Sequence, residues 1–283
     1  MNLPNSESRL NRRTLLVRGA AAAAVCAVPV GWAQQSGDRW RLLVNEAVTA
    51  DLSISMLAMR YRGWAEYMGS QIQNKQVLVD PIIDIPRFVQ QAQSEQKPLL
   101  VFGKSVNQLS KLVRDHGYQP LVRRPEPYKA AFIVPKDSPI QNFTQLGGRK
   151  LLLPDTYSAT AAMARAEIRR QDIREPYMSH TRFQDSVAGQ VAAGMAEAGV
   201  VNPTIARKWQ EAGGRIIGET QPVVNWSVLA SPKASPEMVA RLTNSLLAMN
   251  GQASGGLLSD IGVKQWAKAE RKEYLALLEY TGE

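Results

Sequence analysis

Cysteine is nearly absent from this 283-residue chain: Cys26 is the only one, and it lies in an apolar N-terminal stretch. One cysteine allows no intramolecular disulfide. If the N-terminal stretch is removed, the remainder has no thiol nucleophile and no cysteine-ligated metal. Histidine is scarce as well, with only His116 and His180. A zinc site is therefore not expected, and no other metal or cofactor is indicated. His180 has no Ser or Cys partner in sequence that would suggest a triad, and His116 sits beside Asp115 in a solvated loop. Beyond the N-terminus no apolar run approaches the ~20 residues that cross a bilayer. No Lys/Arg run interleaved with aromatics points to nucleic acid. Internal repeats at roughly 20–50 residues are absent, and so are low-complexity tracts beyond the N-terminal stretch.

What is present suffices for a packed core. The hydrophobic fraction is 45% and the charged fraction an ordinary 21%. The length allows two domains or one large one. Residues 11–33 read NRRTLLVRGAAAAAVCAVPVGWA, with Arg12, Arg13 and Arg18 ahead of a short apolar core and small residues at Gly31 and Ala33. This is the pattern of an export signal cleaved near Ala33, which directs the protein to the periplasm. The arginine pair followed by Thr14, Leu15 and Leu16 is similar to a twin-arginine signal; a general secretory signal is the plainer alternative. Val25 precedes Cys26, where a lipoprotein site needs a small residue, so no lipid anchor is expected. The formal charge of +9 loses four arginines and one glutamate with residues 1–33, leaving +6. A mildly basic exported protein accords with an anionic ligand, although charge alone does not choose one.

After the signal, short apolar runs alternate with helical periodicities. Strands are expected at Trp40–Asn45, Gln76–Val79, Pro98–Phe102 and Pro120–Arg123, and helices at Ser53–Ile72, Ile85–Gln93 and Ser105–Asp115. Tyr128–Val134 and Val223–Ala230 read as crossings between two layers. Between them lie strands at 150–153, 178–183 and 198–201 and helices at 159–170, 185–193 and 203–212. Two amphipathic helices, Pro236–Met249 and Lys264–Tyr280, close the chain. The layout implies two α/β lobes, one built from both ends of the chain and one from its middle, with a cleft between them suited to a small ligand.

In open α/β sheets ligands sit beyond the carboxyl ends of strands, at helix starts. The stretch LLLPDTYSATAAMARAEIRR, residues 151–170, is a strand, a polar elbow and a helix. Free N–H groups and the positive dipole end attract an oxyanion there, and Ser158 and Thr160 add hydroxyls. The plainer reading is that Ser158 or Thr156 only caps the helix. Ser105 and Thr49 follow strands of the first lobe and have similar claims to the ligand, and Tyr128 can wall the cleft. FGKS at 102–105 is not a phosphate loop, because the first glycine of that motif would fall at Pro98. Trp226 reads as core packing.

The segment KDSPIQNFTQLGGRKLLLPDTYSATAAMARAEI, residues 136–168, resembles the periplasmic binding proteins for phosphonate, phosphite and phosphate-like anions. It has the D-S-P-I, the leader ending in L-x-G-[RK]-[RK], the strand, and S-x-[TS] opening a helix. SVAGQVAAGMAEAGVVN, residues 186–202, is similar to that family's next motif. The resemblance implies an α/β, two-lobed type 2 periplasmic-binding fold, each lobe a mixed sheet flanked by helices, with two crossing hinge strands. Lobe one would comprise residues 34–131 and 228–283, and lobe two residues 132–227. It further implies capture of a small anionic solute for an ABC permease. The ligand would be held by Ser158 and Thr160, with Thr156, Tyr157, Ser105, Tyr128, Thr49, Gln184 and Asn202 as further candidates. The sequence departs from the family where Gln184 replaces a histidine, Asn202 a carboxylate, Pro98 an acidic residue and Glu197 an aspartate. A monomer without catalytic activity is expected. The alternatives are a sensor that docks on a membrane histidine kinase and an enzyme of unknown reaction.

Overall fold

The computed structural model describes residues 40–46, 53–72, 75–251 and 256–283. The segment read as an export signal and Thr49 lie outside these residues. The chain opens with β1 (Trp40–Asn45), α1 (Ile54–Gln71), β2 (Val77–Pro81), α2 (Ile85–Gln93), β3 (Leu100–Gly103), α3 (Val106–Asp115) and β4 (Gln119–Arg123). The middle holds β5 (Ala131–Val134), β6 (Lys150–Leu153), α4 (Ala159–Arg170), β7 (Tyr177–His180), α5 (Gln184–Ala192), β8 (Ala198–Val201), α6 (Pro203–Glu211) and β9 (Arg215–Glu219). The chain then returns through β10 (Ser227–Ala230), α7 (Pro236–Ala248), α8 (Leu257–Asp260), β11 (Ala267–Lys268) and α9 (Arg271–Thr281).

These strands make two mixed sheets. The first has the order β11-β4-β10-β3-β1-β2 and the second β7-β6-β8-β5-β9. β1 runs parallel to β2 and β3, β6 runs parallel to β7 and β8, and the returning strands β10 and β5 are antiparallel to their neighbours. The inner strands β3, β5, β8 and β10 are wholly buried and nearly all apolar, as strands covered on both faces are, whereas the outer strands β2, β7, β9 and β11 carry polar residues and are partly exposed. In the first sheet Leu42, Val44, Leu100 and Phe102 enter one core, and Leu43 and Val101 the other. In the second sheet Leu151 and Leu153 face one core and Leu152 the opposite one. This alternation is the period of two that a strand imposes.

The chain passes between the sheets at residues 124–130 and 220–226, where Tyr128 and Val223 exchange backbone hydrogen bonds of 2.9 Å in both directions. The passages begin a few residues earlier than the apolar runs suggest, because Ala131–Val134 and Ser227–Ala230 are wholly buried sheet strands. One core also joins the lobes: Ala159 and Met163 of α4 pack with Val106 and Leu109 of α3 and Leu277 of α9. The Tyr280 hydroxyl donates to Glu167 Oε2 of α4 at 2.9 Å across this seam.

The helix expected over Lys264–Tyr280 is corrected. Residues 267–268 pair antiparallel with Val122 and Arg123 as an edge strand. Trp266 is buried, and its backbone N–H donates to Asn250 Oδ1 at 2.7 Å. Tertiary pairing overrides the helical periodicity there. The helix begins only at Arg271, where Glu270 and Glu273 form a capping box.

Candidate functional site

Three helices of the second lobe start at the carboxyl ends of three adjacent parallel strands. α4 follows β6, α5 follows β7 and α6 follows β8, so their N-termini converge on one side of the sheet. Close packing sets the approach of α5. A Cβ at Gly199 of β8 would lie 2.6 Å from Val187 and 2.9 Å from Val191. Only glycine lets α5 settle on the sheet and carry Gln184 to the cleft.

The side chains at these three starts form one network. Ser158 is the N-cap of α4, its Oγ accepting from Ala161 N–H at 3.2 Å. The Tyr128 and Thr160 hydroxyls lie 2.5 Å apart, and Gln184 Nε2 donates to Thr160 Oγ1 at 3.1 Å. Gln184 Oε1 accepts from Asn202 N–H at 2.5 Å, which fixes the orientation of its amide. Asn202 caps α6, its Oδ1 accepting from Ile205 N–H at 2.9 Å. All five side chains are buried and line a cavity of about 670 Å³ between the lobes.

The oxygens of this network accept hydrogen bonds from within the protein, and several donors remain available to the cavity. The Ser158 hydroxyl keeps its proton while its oxygen caps the helix. In the Tyr128–Thr160 pair one hydroxyl donates to the other, and the acceptor keeps a proton of its own. The Asn202 amide nitrogen has no hydrogen-bond partner among the described residues, while its oxygen caps α6. The amides of Ala159 and Thr160 have no partner among the described residues. Burial raises the Tyr128 phenol above its ordinary pKa, partly offset by hydrogen bonds from Thr160 and Gln184, so it remains neutral.

The facing wall belongs to the first lobe and is charged. Strand register builds it. Asn45 pairs with Gly103, Gly103 with Ser227, and Ser227 with Arg123. The adjoining residues Glu46, Lys104, Trp226 and Arg124 therefore emerge in a row at one edge of the sheet. Lys104 Nζ lies 2.6 Å from Glu46 Oε2, Arg60 Nη1 lies 3.2 Å from Glu46 Oε1, and the Tyr61 hydroxyl donates to Oε1 at 2.6 Å. Burial alone would lift the Glu46 carboxyl, but Lys104, Tyr61 and Arg60 together hold it below its ordinary value. Burial lowers the Lys104 ammonium, and Glu46 restores part of that shift. Lys104 Nζ sits 3.9 Å from the centroid of the Trp226 ring and the Arg124 guanidinium carbon 4.5 Å from it, both in cation–π range. Ser105 also faces the cavity, with its buried hydroxyl lacking a hydrogen-bond partner among the described residues.

Of the residues expected at the site, Ser158, Thr160, Tyr128, Gln184, Asn202 and Ser105 share this cavity. Thr156 and Tyr157 do not, and this is a correction. The elbow turns so that both side chains are exposed on the outside. The Tyr157 carbonyl instead accepts from Asn107 and Gln108 of α3, at 3.2 and 3.0 Å, and so serves the seam between the lobes. Trp226 packs against the first-lobe core, as expected, and also forms part of the cleft wall. Glu46, Arg60, Lys104 and Arg124 carry no local motif, and only the long-range register reveals them. His180 is exposed and bonded through Nδ1 to the Pro154 carbonyl at 2.7 Å, away from the cavity. Among the described residues no cluster of His, Cys, Asp or Glu could hold a metal ion, and no helix is long and apolar enough to cross a membrane.

Two α/β lobes, each a mixed sheet, with two passages between them and a polar cleft, define a type 2 periplasmic-binding fold. The family model for the phosphonate periplasmic substrate-binding protein of ABC transporters matches residues 47–274, and the chain belongs to that family. Its members are binding proteins rather than enzymes. No curated protein matches the chain significantly. Among solved structures, XAC2383 from Xanthomonas citri bound to chloride ion is 16% identical with a TM-score of 0.73, covering 86% of this chain and 97% of that one. The same protein solved bound to ATP has a TM-score of 0.72. PhnD1 from Prochlorococcus marinus (MIT 9301), in complex with methylphosphonate, is 15% identical with a TM-score of 0.69, covering 85% and 96%. Identities this low speak to the fold.

Proposed function

We propose that the chain is an exported solute-binding protein that captures a small oxyanion of the phosphonate, phosphite or phosphate kind and delivers it to an ABC permease. In this reading the anion sits on the second lobe, bound by the hydroxyls of Ser158 and Thr160 and the free amides at the start of α4. Tyr128, Gln184 and Asn202 position them, and Ser105 contacts the ligand from the first lobe. One observation carries the reading: the oxygens of Ser158, Thr160, Gln184 and Asn202 already accept hydrogen bonds from within the protein, while donors at the same wall, the Ala159 and Thr160 amides among them, have no partner among the described residues. Such a wall favours a ligand that only accepts, and buried donors left unmet would cost about 1–3 kcal/mol each. Helix N-termini add favourable potential for the same charge. The family membership supports the reading, as do the chloride, ATP and methylphosphonate named for the similar structures.

The lobes would close on the ligand by bending at residues 124–130 and 220–226, because a ligand touching both walls stabilises the closed state selectively. The signal would be cleaved near Ala33, by the twin-arginine route. A thermal-shift panel of phosphate, phosphite, methylphosphonate, methanesulfonate and acetate tests the function. A phosphorus oxyanion at 100 times its Kd raises stability by about 2.7 kcal/mol. Stabilisation by acetate alone, or by none of the five, would refute the assignment.

A further inference from the structure

The two walls of the cleft differ in what they ask of a ligand, and the charged groups of the first-lobe wall have no role in the proposal so far. The cavity is lined by six cations, Arg60, Lys104, Arg124, Arg207, Lys208 and Lys264, against three carboxylates, Glu46, Glu126 and Asp185. On the first-lobe wall the carboxylates are already committed. Both oxygens of Glu46 are taken up by Lys104, Arg60 and Tyr61. Glu126 lies 3.5 Å from Arg124 and is half exposed. That pairing is loose: it runs through Arg124 Nε, which is buried and makes no hydrogen bond among the described residues, so the guanidinium can still donate to a ligand. Lys264 has no ion pair among the described residues. A positive ligand group placed on this wall would meet like charge with no carboxylate free to answer it.

Resting on the oxyanion reading of the second lobe, we infer that the ligand carries a second anionic group, which the first-lobe wall receives through Arg124, Lys104 and the unpartnered hydroxyl of Ser105. The substrate class is then a phosphonate or phosphate ester with a carboxylate or a further phosphate at its other end, and not an aminoalkylphosphonate. The cavity of about 670 Å³ has room for such a chain beyond the first oxyanion. Arg124 suits the role, since a guanidinium offers two parallel donors to a carboxylate or phosphate. Asp185 is the one carboxylate of the cavity without an ion pair among the described residues. It lies in the first turn of α5, where the helix dipole favours it, on the opposite lobe.

Calorimetric titration with methylphosphonate, 2-aminoethylphosphonate, phosphonoacetate and 3-phosphonopropionate tests the inference. The better of the two carboxylate-bearing compounds should bind at least tenfold tighter than both others. Arg124→Gln should weaken that compound at least tenfold more than it weakens methylphosphonate, with the melting temperature recorded to exclude unfolding. Equal affinities across the panel would overturn the inference while leaving the oxyanion reading intact. So would tightest binding of the amine, particularly if Asp185→Asn abolished it, or an Arg124→Gln loss shared equally by all compounds. Binding of none of the four would overturn the oxyanion reading and this inference together.

Discussion

The two walls of the cleft are made by different means. The second-lobe wall is neutral, built from Ser158, Thr160, Gln184 and Asn202 at three helix starts with Tyr128 from the passage beside them, and its members hydrogen-bond to one another and to the helix amides. The first-lobe wall is ionic, with Glu46 buried among Lys104, Arg60 and Tyr61, and Trp226 beneath two cations. A neutral wall recognises an anion through fixed dipoles and loses modestly when one member is removed. An ionic wall holds its charges in place mutually, and removing one leaves the others buried and unanswered. The same cleft thus has one side tuned by hydrogen-bond geometry and one by charge balance.

The largest expected effect falls on the ionic wall. Glu46→Gln should destabilise the unliganded protein by about 3–5 kcal/mol, since Lys104 would lose its counter-charge in a buried setting, while the partly exposed Arg60 adds little. On the neutral wall Gln184→Ala should cost about 1–3 kcal/mol, by leaving the Asn202 N–H without its acceptor and Thr160 without a donor. Urea unfolding measures both. Equal losses, or a larger loss for Gln184→Ala, would break the contrast between the walls.

The contrast also predicts a difference with pH. The Glu46 carboxyl is held below its ordinary value in the folded protein, so as the pH falls the unfolded chain takes up this proton first. The stabilisation from this group is complete above the unfolded value near 4.5 and is lost as the pH drops through the lower folded value. Glu46→Gln should therefore be less sensitive to acid below about pH 4.5 than the parent, whereas Gln184→Ala should keep the parent's acid slope. Unfolding midpoints measured between pH 3 and 7 (roughly, the span over which carboxylates titrate) check this. Identical acid slopes for the two variants would remove the charge-balance account of the first-lobe wall.

The neutral wall was largely legible in the sequence and the ionic wall was not. Ser158 and Thr160 lie within one strand-elbow-helix motif, whose bounds at 150–153 and 159–170 match the structure. Gln184 and Asn202 likewise stand at helix starts that follow strands. Short-range pattern suffices where the site is made by the ends of local elements. Glu46, Lys104, Arg124 and Trp226 are brought together by strand register across β1, β3, β10 and β4, and no local signal marks them. The helix expected over Lys264–Tyr280 failed for a related reason, as residues 267–268 gain an edge-strand pairing that no window of the sequence reveals. Thr156 and Tyr157 share the elbow with Ser158 but face outward, because the turn of the elbow, and not its composition, decides which side chains enter the cleft.

The account rests most heavily on Ser158 acting both as a helix cap and as a ligand donor. Glycine at an N-cap costs only a few tenths of a kcal/mol relative to serine, whereas a hydrogen bond to a charged ligand contributes about 1.5–3 kcal/mol. Ser158→Gly therefore separates the two roles. Calorimetric titration with methylphosphonate, beside thermal unfolding of the unliganded protein, should show a Kd weakened about tenfold or more with stability nearly unchanged. Parental affinity in Ser158→Gly would contradict the account and leave Ser158 as a cap alone.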